Sequence, residues 1–311
     1  MEEIKLLTIP ANYFSGYAHS YEESHFIVLG VPFDGTSSYK PGSRFGPSAI
    51  REASSNIETF SMRAKEDLSR YWLCDIGDVV VTHGNLTDTL KSVERVTSSI
   101  LKTHRFPILL GGEHSVTYGA VKAVREAVKE KGKELTVIQF DAHMDLRDDY
   151  LGEKWSHATV MRRIVEEIGV PHLVQVGIRA PSQEEYDFAK KNQVNFFTSD
   201  EANNNPQGTV EKIKKLIRGS PTYVSIDIDC LDPSAAPGVG NPEPEGINLT
   251  TLLNVLQGIV NRSVMIQPIE GFDVVEVSPP NDPTGQTAVT AAKLTMELLG
   301  MSARVRSSGE A

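Results

Sequence analysis

Residues 135–145 read LTVIQFDAHMD, and residues 223–229 read YVSIDID. Both are runs of β-branched and apolar residues that close on acidic side chains, and a short apolar run of this kind reads as a buried strand of a parallel sheet. Side chains two apart on an extended segment point the same way, so Asp227 and Asp229 are held as like charges on one side of their strand. Such a pair raises its own pKa and loses its charge unless a cation compensates. A single Asp after a strand is ordinarily a helix cap or a turn former. Two acidic runs with His143 inside one of them point instead to metal. Asp141, Asp145, Asp227 and Asp229 together carry the charge that two divalent ions would neutralise.

Outward from these two runs, further short apolar stretches occur at 26–31, 71–76, 107–110, 173–178, 194–197 and 272–277. With 135–140 and 223–228 they make eight expected strands. Between them lie patterns with apolar residues three and four apart. Val116, Ala120, Val121, Val124 and Val128 form one such pattern, and Leu252, Leu253, Leu256, Ile259 and Val260 another. Gly46-Pro47 opens a helix with proline in its first turn, and Thr250 and Thr251 are candidate caps for the helix after Asn248. Strand and helix alternate, which predicts an α/β fold: a three-layer α-β-α arrangement around a mainly parallel eight-stranded sheet.

The 311 residues are 40% hydrophobic and 23% charged, an ordinary globular composition. No linker-like tract divides them, so residues 1–311 read as one domain, with 304–311 as a small, polar, fraying tail. A formal charge of −10 without a basic stripe argues against a nucleic-acid surface and suits a cationic small substrate. There is no apolar run of about 18 residues and no leader-like start, so no membrane association and a cytoplasmic location are expected. Cys74 and Cys230 sit in apolar stretches without metal-site spacing and read as buried thiols.

The chemistry-bearing residues cluster at one kind of place. His114 follows the strand ending at Leu110 and a Gly-Gly pair, Asp141 follows Phe140, Asp229 closes its strand, and Glu276 is near the end of the last. Ligands of open parallel sheets bind outside the carboxyl ends of the strands, so these segments can converge. Imidazole and carboxylate ligands without thiolate favour borderline-to-hard divalent ions, and shared carboxylates favour a pair of them. The reaction class is metal-assisted hydrolysis. His19, His25, His83, His104 and His172 have no acidic partner in a motif and read as structural.

GGEHS at 111–115, DAHMD at 141–145, SIDIDCLDPSAAPGVG at 225–240 and EVSPP at 276–280, in this order, resemble the ureohydrolases, the arginase and agmatinase family. The likeness spans nearly the whole chain and implies the arginase/deacetylase-like fold. It implies two Mn2+ per chain: one held by His114, Asp141, Asp145 and Asp227, the other by Asp141, His143, Asp227 and Asp229. It also makes Asp145 the group that passes a proton to the departing amine and His157 a proton shuttle. Glu276 becomes the partner of the substrate guanidinium, a role that suits a bidentate carboxylate. Homo-oligomers, trimers or hexamers, are the family habit.

The loop 146–156 reads LRDDYLGEKWS, with no Asn and only one Ser where the resemblance implies that arginases hold an α-carboxylate with Asn and Ser residues. Its Asp148, Asp149 and Glu153 suit a substrate whose far end is an amine, and NPEPEG at 241–246 resembles the PEPGG run of agmatinases. Agmatine, hydrolysed to putrescine and urea, is therefore the expected substrate. Arg147 and Lys154 keep guanidinobutyrate and arginine open, and a single-zinc polyamine-deacetylase chemistry is the other alternative. Glu113, Met144, Ala158 and Glu245 depart from the commonest family residues, and none is an expected ligand.

Overall fold

The computed structural model describes residues 2–16, 19–217, 219–260 and 269–307. Its strands are β1 (Thr8–Ile9), β2 (Phe26–Val31), β3 (Phe60–Ser61), β4 (Glu66–Asp67), β5 (Leu73–Val79), β6 (Phe106–Gly111), β7 (Thr136–Phe140), β8 (Leu173–Ile178), β9 (Asn195–Thr198), β10 (Thr222–Asp227) and β11 (Ile269–Val275). Nine of them form one sheet in the order β1-β5-β2-β6-β11-β10-β7-β8-β9, and β3 and β4 make a separate hairpin. Every pairing in the large sheet is parallel except that of β1 with β5.

All eight expected strands are present, with ends shifted by a few residues, and β1 is a ninth. Two residues are too short to show any periodicity, so β1 is visible only through its pairing with β5. The expected 272–277 strand instead covers Ile269–Val275. It stops there because Glu276 takes a left-handed backbone, φ 64°, which no strand can continue.

The sheet is covered on both faces. Phe26 and Val28 point into one hydrophobic core, with helix residues such as Ile50, Ile213, Leu256 and Leu294. Ile27, Leu29 and Val31 point into the other, with Val93, Val121, Val124 and Ile164. Alternation along single strands thus divides the apolar residues between two helix layers. Helix Gly46–Ser54 does carry proline in its first turn. Helix Leu249–Ile259 is preceded by Asn248 as its cap residue, so Thr250 and Thr251 lie inside the helix rather than capping it. The last helix continues through Ser307, because Met301 and Ala303 are still buried against the core. Residues 304–307, expected in a fraying tail, are helical, and 308–311 lie outside the described residues. Cys74 and Cys230 are both buried and free.

The order of the central strands positions the site. β6, β11, β10 and β7 are consecutive in the sheet, although they come from widely separated parts of the chain. Their register sets Phe140 beside Ile226, Asp227 beside Val275, and Val274 beside Leu110. The four carboxyl ends are level, and each one leads directly into one of the acidic or histidine motifs.

Candidate active site

After β6 the chain turns sharply at Gly112. A Cβ there would lie 2.0 Å from the Phe33 carbonyl oxygen, so only glycine permits the approach. The turn places His114 over the strand ends, where it is 1% exposed. The His114 backbone N–H donates to Glu276 Oε1 at 2.8 Å, which ties the end of β6 to the end of β11. Asp145 also takes a left-handed backbone, φ 53°. Non-glycine residues in this conformation cost energy and collect at functional sites.

Two groups of potential ligands meet at Asp141. His114, Asp141 and Asp227 form one, and Asp141, His143 and Asp229 the other, with ligand atoms within 4.8 Å of one another in each group. His114 Nδ1 lies 2.9 Å from Asp141 Oδ2, 3.0 Å from Asp145 Oδ2 and 3.5 Å from Asp227 Oδ2. His143 Nδ1 lies 3.1 Å from Asp229 Oδ2. All six expected ligands thus come together, Asp145 standing beside the first group rather than within it. The backbone locks the carboxylates in place: His143 N–H donates to Asp141 Oδ1, Ala142 N–H to Asp229 Oδ1, and Asp229 N–H to Asp227 Oδ1.

The state of His114 tests whether these residues fit a cation. Ser225 Oγ donates to Asp273 Oδ1 at 2.6 Å and therefore accepts from His114 Nε2–H at 3.0 Å. Asp273, fully buried, also accepts from the Tyr223 hydroxyl at 2.9 Å. With Nε2–H donated to Ser225, the ring turns Nδ1 toward three carboxylates, a setting that in the chain alone favours a second proton on the ring and with a bound cation would offer that nitrogen's lone pair instead. Lone pairs facing carboxylate oxygens call for a positive charge between them. The donor set fits a hard or borderline divalent ion.

The titration behaviour of the cluster has the same origin. Burial, then the charge of Asp141, pushes Asp145 up to about 7. Burial and Asp229 hold Asp227 well above the usual carboxylate range. Burial and Glu113 push Glu276 up to about 8. Burial works against the charged forms of His114 and His143, but their aspartate neighbours outweigh it and raise both. Asp141 is lowered, against its burial, by the same two imidazoles. His157 is the exception, pushed down to about 4 by burial and by the nearby His143.

A cavity of about 350 Å³ opens over the cluster, lined by His114, His143, Asp145, His157, Asp227, Asp229 and Glu276 among others. Asp148, Asp149 and Glu153, expected to meet the substrate, do not line it. Asp148 is drawn away by Arg163 at 2.6 Å, Asp149 accepts from the Gly152 N–H, and Glu153 closes a tight turn on Tyr150. Arg147 and Tyr150 are the loop residues that face the cavity, joined by Ser38, Tyr39, Asn241 and Glu243. Glu245 has a φ of 62°, which accounts for the glycine at that place in the PEPGG run.

Sequence patterns alone did not single out Ser225, Asp273, Thr36 or Glu243. Ser225 and Asp273 carried one available signal, since each is a polar residue inside an otherwise apolar strand.

Residues 24–300 match the model of the Arginase family. The agmatinase of Bacillus subtilis is 39% identical over 282 residues, covering 90% of this chain and 92% of that protein. The N(1)-aminopropylagmatine ureohydrolase of Thermococcus kodakarensis is 38% identical over 287 residues, 91% of this chain and 92% of its own. The crystal structure of the agmatine ureohydrolase of Thermoplasma volcanium superimposes with a TM-score of 0.84 at 32% identity, covering 99% of both chains. Fold, cluster and relatives agree: the chain belongs to the arginase family and is an enzyme of the ureohydrolase type.

Proposed function

We propose that this enzyme hydrolyses agmatine to putrescine and urea with two manganese ions. The observation that carries the proposal is the shared Asp141. One carboxylate belongs to both ligand groups, which is what a pair of ions requires. His114, Asp141, Asp145 and Asp227 would hold one ion, and Asp141, His143, Asp227 and Asp229 the other. Bound there, the ions would supply Lewis-acid activation of water at neutral pH.

The chain's own residues supply the rest. Glu276, fixed by the His114 N–H, presents a carboxylate to the guanidinium and orients its carbon above the cluster. Asp145 receives a proton from the attacking water and gives it to the amine nitrogen as the carbon–nitrogen bond breaks. His157, neutral at the cavity wall, carries protons between this centre and solvent.

Glu243 takes over the role expected of the 146–156 loop. Glu243 lines the cavity, and a carboxylate there suits an ammonium at the far end of the substrate. Glu185, on the same cavity, is already occupied by the Ser182 and Leu146 N–H groups. Arg147 also lines the cavity and favours a guanidino acid as a second reading. Its guanidinium, however, lies 3.8 Å from Glu185 and over the Tyr150 ring at 5.1 Å, so its charge is engaged.

Urea release from agmatine, its N1-aminopropyl derivative, arginine and 4-guanidinobutyrate, after manganese loading, tests the assignment. Preference for agmatine supports the assignment, whereas preference for the N1-aminopropyl derivative keeps Glu243 as the ammonium partner and overturns agmatine in favour of the longer amine. Preference for arginine or guanidinobutyrate overturns agmatine in favour of the Arg147 reading. One ion per chain by anomalous scattering would overturn the paired centre in favour of a deacetylase-like site.

A further inference from the structure

A chain of hydrogen bonds runs from the cavity wall through His157 to the buried Glu113. Glu113 is fully buried, and both of its carboxylate oxygens accept. The Thr36 N–H donates to Oε2 at 2.7 Å, and the hydroxyls of Thr36 and Ser115 both donate to Oε1 at 2.5 Å. A hydroxyl has one proton, and that of Thr36 is committed to Glu113. Its oxygen can then only accept, which it does from the His157 backbone N–H at 3.0 Å. The same oxygen lies 3.3 Å from His157 Nδ1. An acceptor at that position requires a proton on Nδ1. On the other side of the ring, Nε2 lies 3.4 Å from Ser38 Oγ, which in turn accepts from the Tyr150 hydroxyl at 3.3 Å. Ser38 and Tyr150 line the cavity, whereas Thr36 and Glu113 do not.

We propose that Thr36, anchored by Glu113, is a positioning residue that fixes the tautomer of His157, with the proton on Nδ1 and the lone pair of Nε2 turned to the cavity. A proton shuttle needs its free lone pair on the side from which the proton comes. A histidine of the opposite tautomer would present a filled N–H there and could not accept. The wrong tautomer in an otherwise intact site is a severe fault, so a dedicated hydroxyl is a sensible device. Its catalytic meaning rests on the proton-carrying role proposed above, whereas the tautomer is a property of the folded chain alone.

Long-range proton–nitrogen NMR of the His157 ring, assigned with a His157→Ala sample, reads the tautomer directly. The Nδ1–H form is expected in the unsubstituted chain and in Thr36→Ser, and its loss in Thr36→Val. The same three proteins are then assayed for urea release. Thr36→Val should lower kcat about tenfold to a hundredfold with KM within about twofold, and Thr36→Ser should recover most of it. An Nε2–H form in the unsubstituted chain, or an Nδ1–H form that survives Thr36→Val, overturns the proposal; so does a Thr36→Ser protein as slow as Thr36→Val. Far-UV circular dichroism checks the fold, and Thr36→Ala replaces Thr36→Val should the latter not fold. An unsubstituted enzyme that releases no urea from any guanidino substrate defeats the proposed function, and the NMR result still decides the tautomer.

Discussion

Arg51 and His114 each stand at the centre of a buried acidic cluster, and the two clusters are held together differently. Arg51, with no exposed surface, forks onto Asp75 at 2.8 and 2.9 Å and reaches Asp78 at 2.5 Å. The Phe14 and Gly77 N–H groups complete Asp75. Every charge there has its partner within the chain. Around His114, four aspartates and Glu276 face two imidazoles, so the carboxylates outnumber the cationic groups the chain can set against them. The same burial that is harmless beside a guanidinium becomes, without one, a demand for cations from outside. One cluster serves the fold, and the other serves chemistry at the fold's expense.

The sharpest way to break the comparison is to remove one carboxylate from the His114 cluster. Asp229→Ala is expected to lower kcat for urea release by a factor of about 10,000 or more while leaving the circular dichroism spectrum unchanged. Retained activity would mean that the paired centre is wrong. In the other cluster the effect is on stability. Arg51→Met leaves the buried Asp75 and the partly exposed Asp78 without their cation and should cost about 3–5 kcal/mol in urea unfolding. An unfolding midpoint equal to that of the parent would show that the aspartates find other partners.

The third test concerns protons and ions together. Asp145, pushed up to about 7, and Glu276, pushed up to about 8, bind protons more tightly folded than unfolded, where such groups titrate near 4. Between about pH 4 and pH 8 the folded chain holds the extra protons, so their contribution to stability declines as pH rises. Divalent ions take the place of those protons. The stabilisation by manganese should therefore widen from pH 5 to pH 8, reaching about 2–3 kcal/mol at a hundredfold excess over Kd. Melting curves with and without manganese at the two pH values measure it, and an equal gain at both would contradict the idea. The smallest effect lies at the cavity wall, where Glu243→Gln should raise KM for agmatine about tenfold and leave kcat nearly unchanged.

Much of this was legible in the sequence, and unevenly so. The strands bearing DAHMD and SIDID declare themselves because a parallel sheet buried on both faces needs uninterrupted apolar runs. The ligands declare themselves because acid after such a run is rare unless something compensates it. The 146–156 loop was harder to read for the opposite reason. Its acidic composition was clear, but which way Asp148 points depends on Arg163, a residue of the following helix. Thr36 and Glu113 were invisible as a pair, since only the turn at Gly112 brings residues so far apart in the chain into one hydrogen bond.

The strand order also dictates when in the life of a molecule the active site can exist. β6 and β7, with His114, Asp141 and His143, are synthesised in the first half of the chain, yet they are not neighbours. The two strands that fill the gap between them, β11 and β10, are among the last to leave a ribosome. A nascent chain that has passed Asp145 carries four of the six expected ligands, His114 on one side of an open slot in its sheet and Asp141, His143 and Asp145 on the other, and the contacts that close it are of the longest range. Sheet completion and site completion are one event, so a truncated product is neither folded nor able to carry out the chemistry on its own.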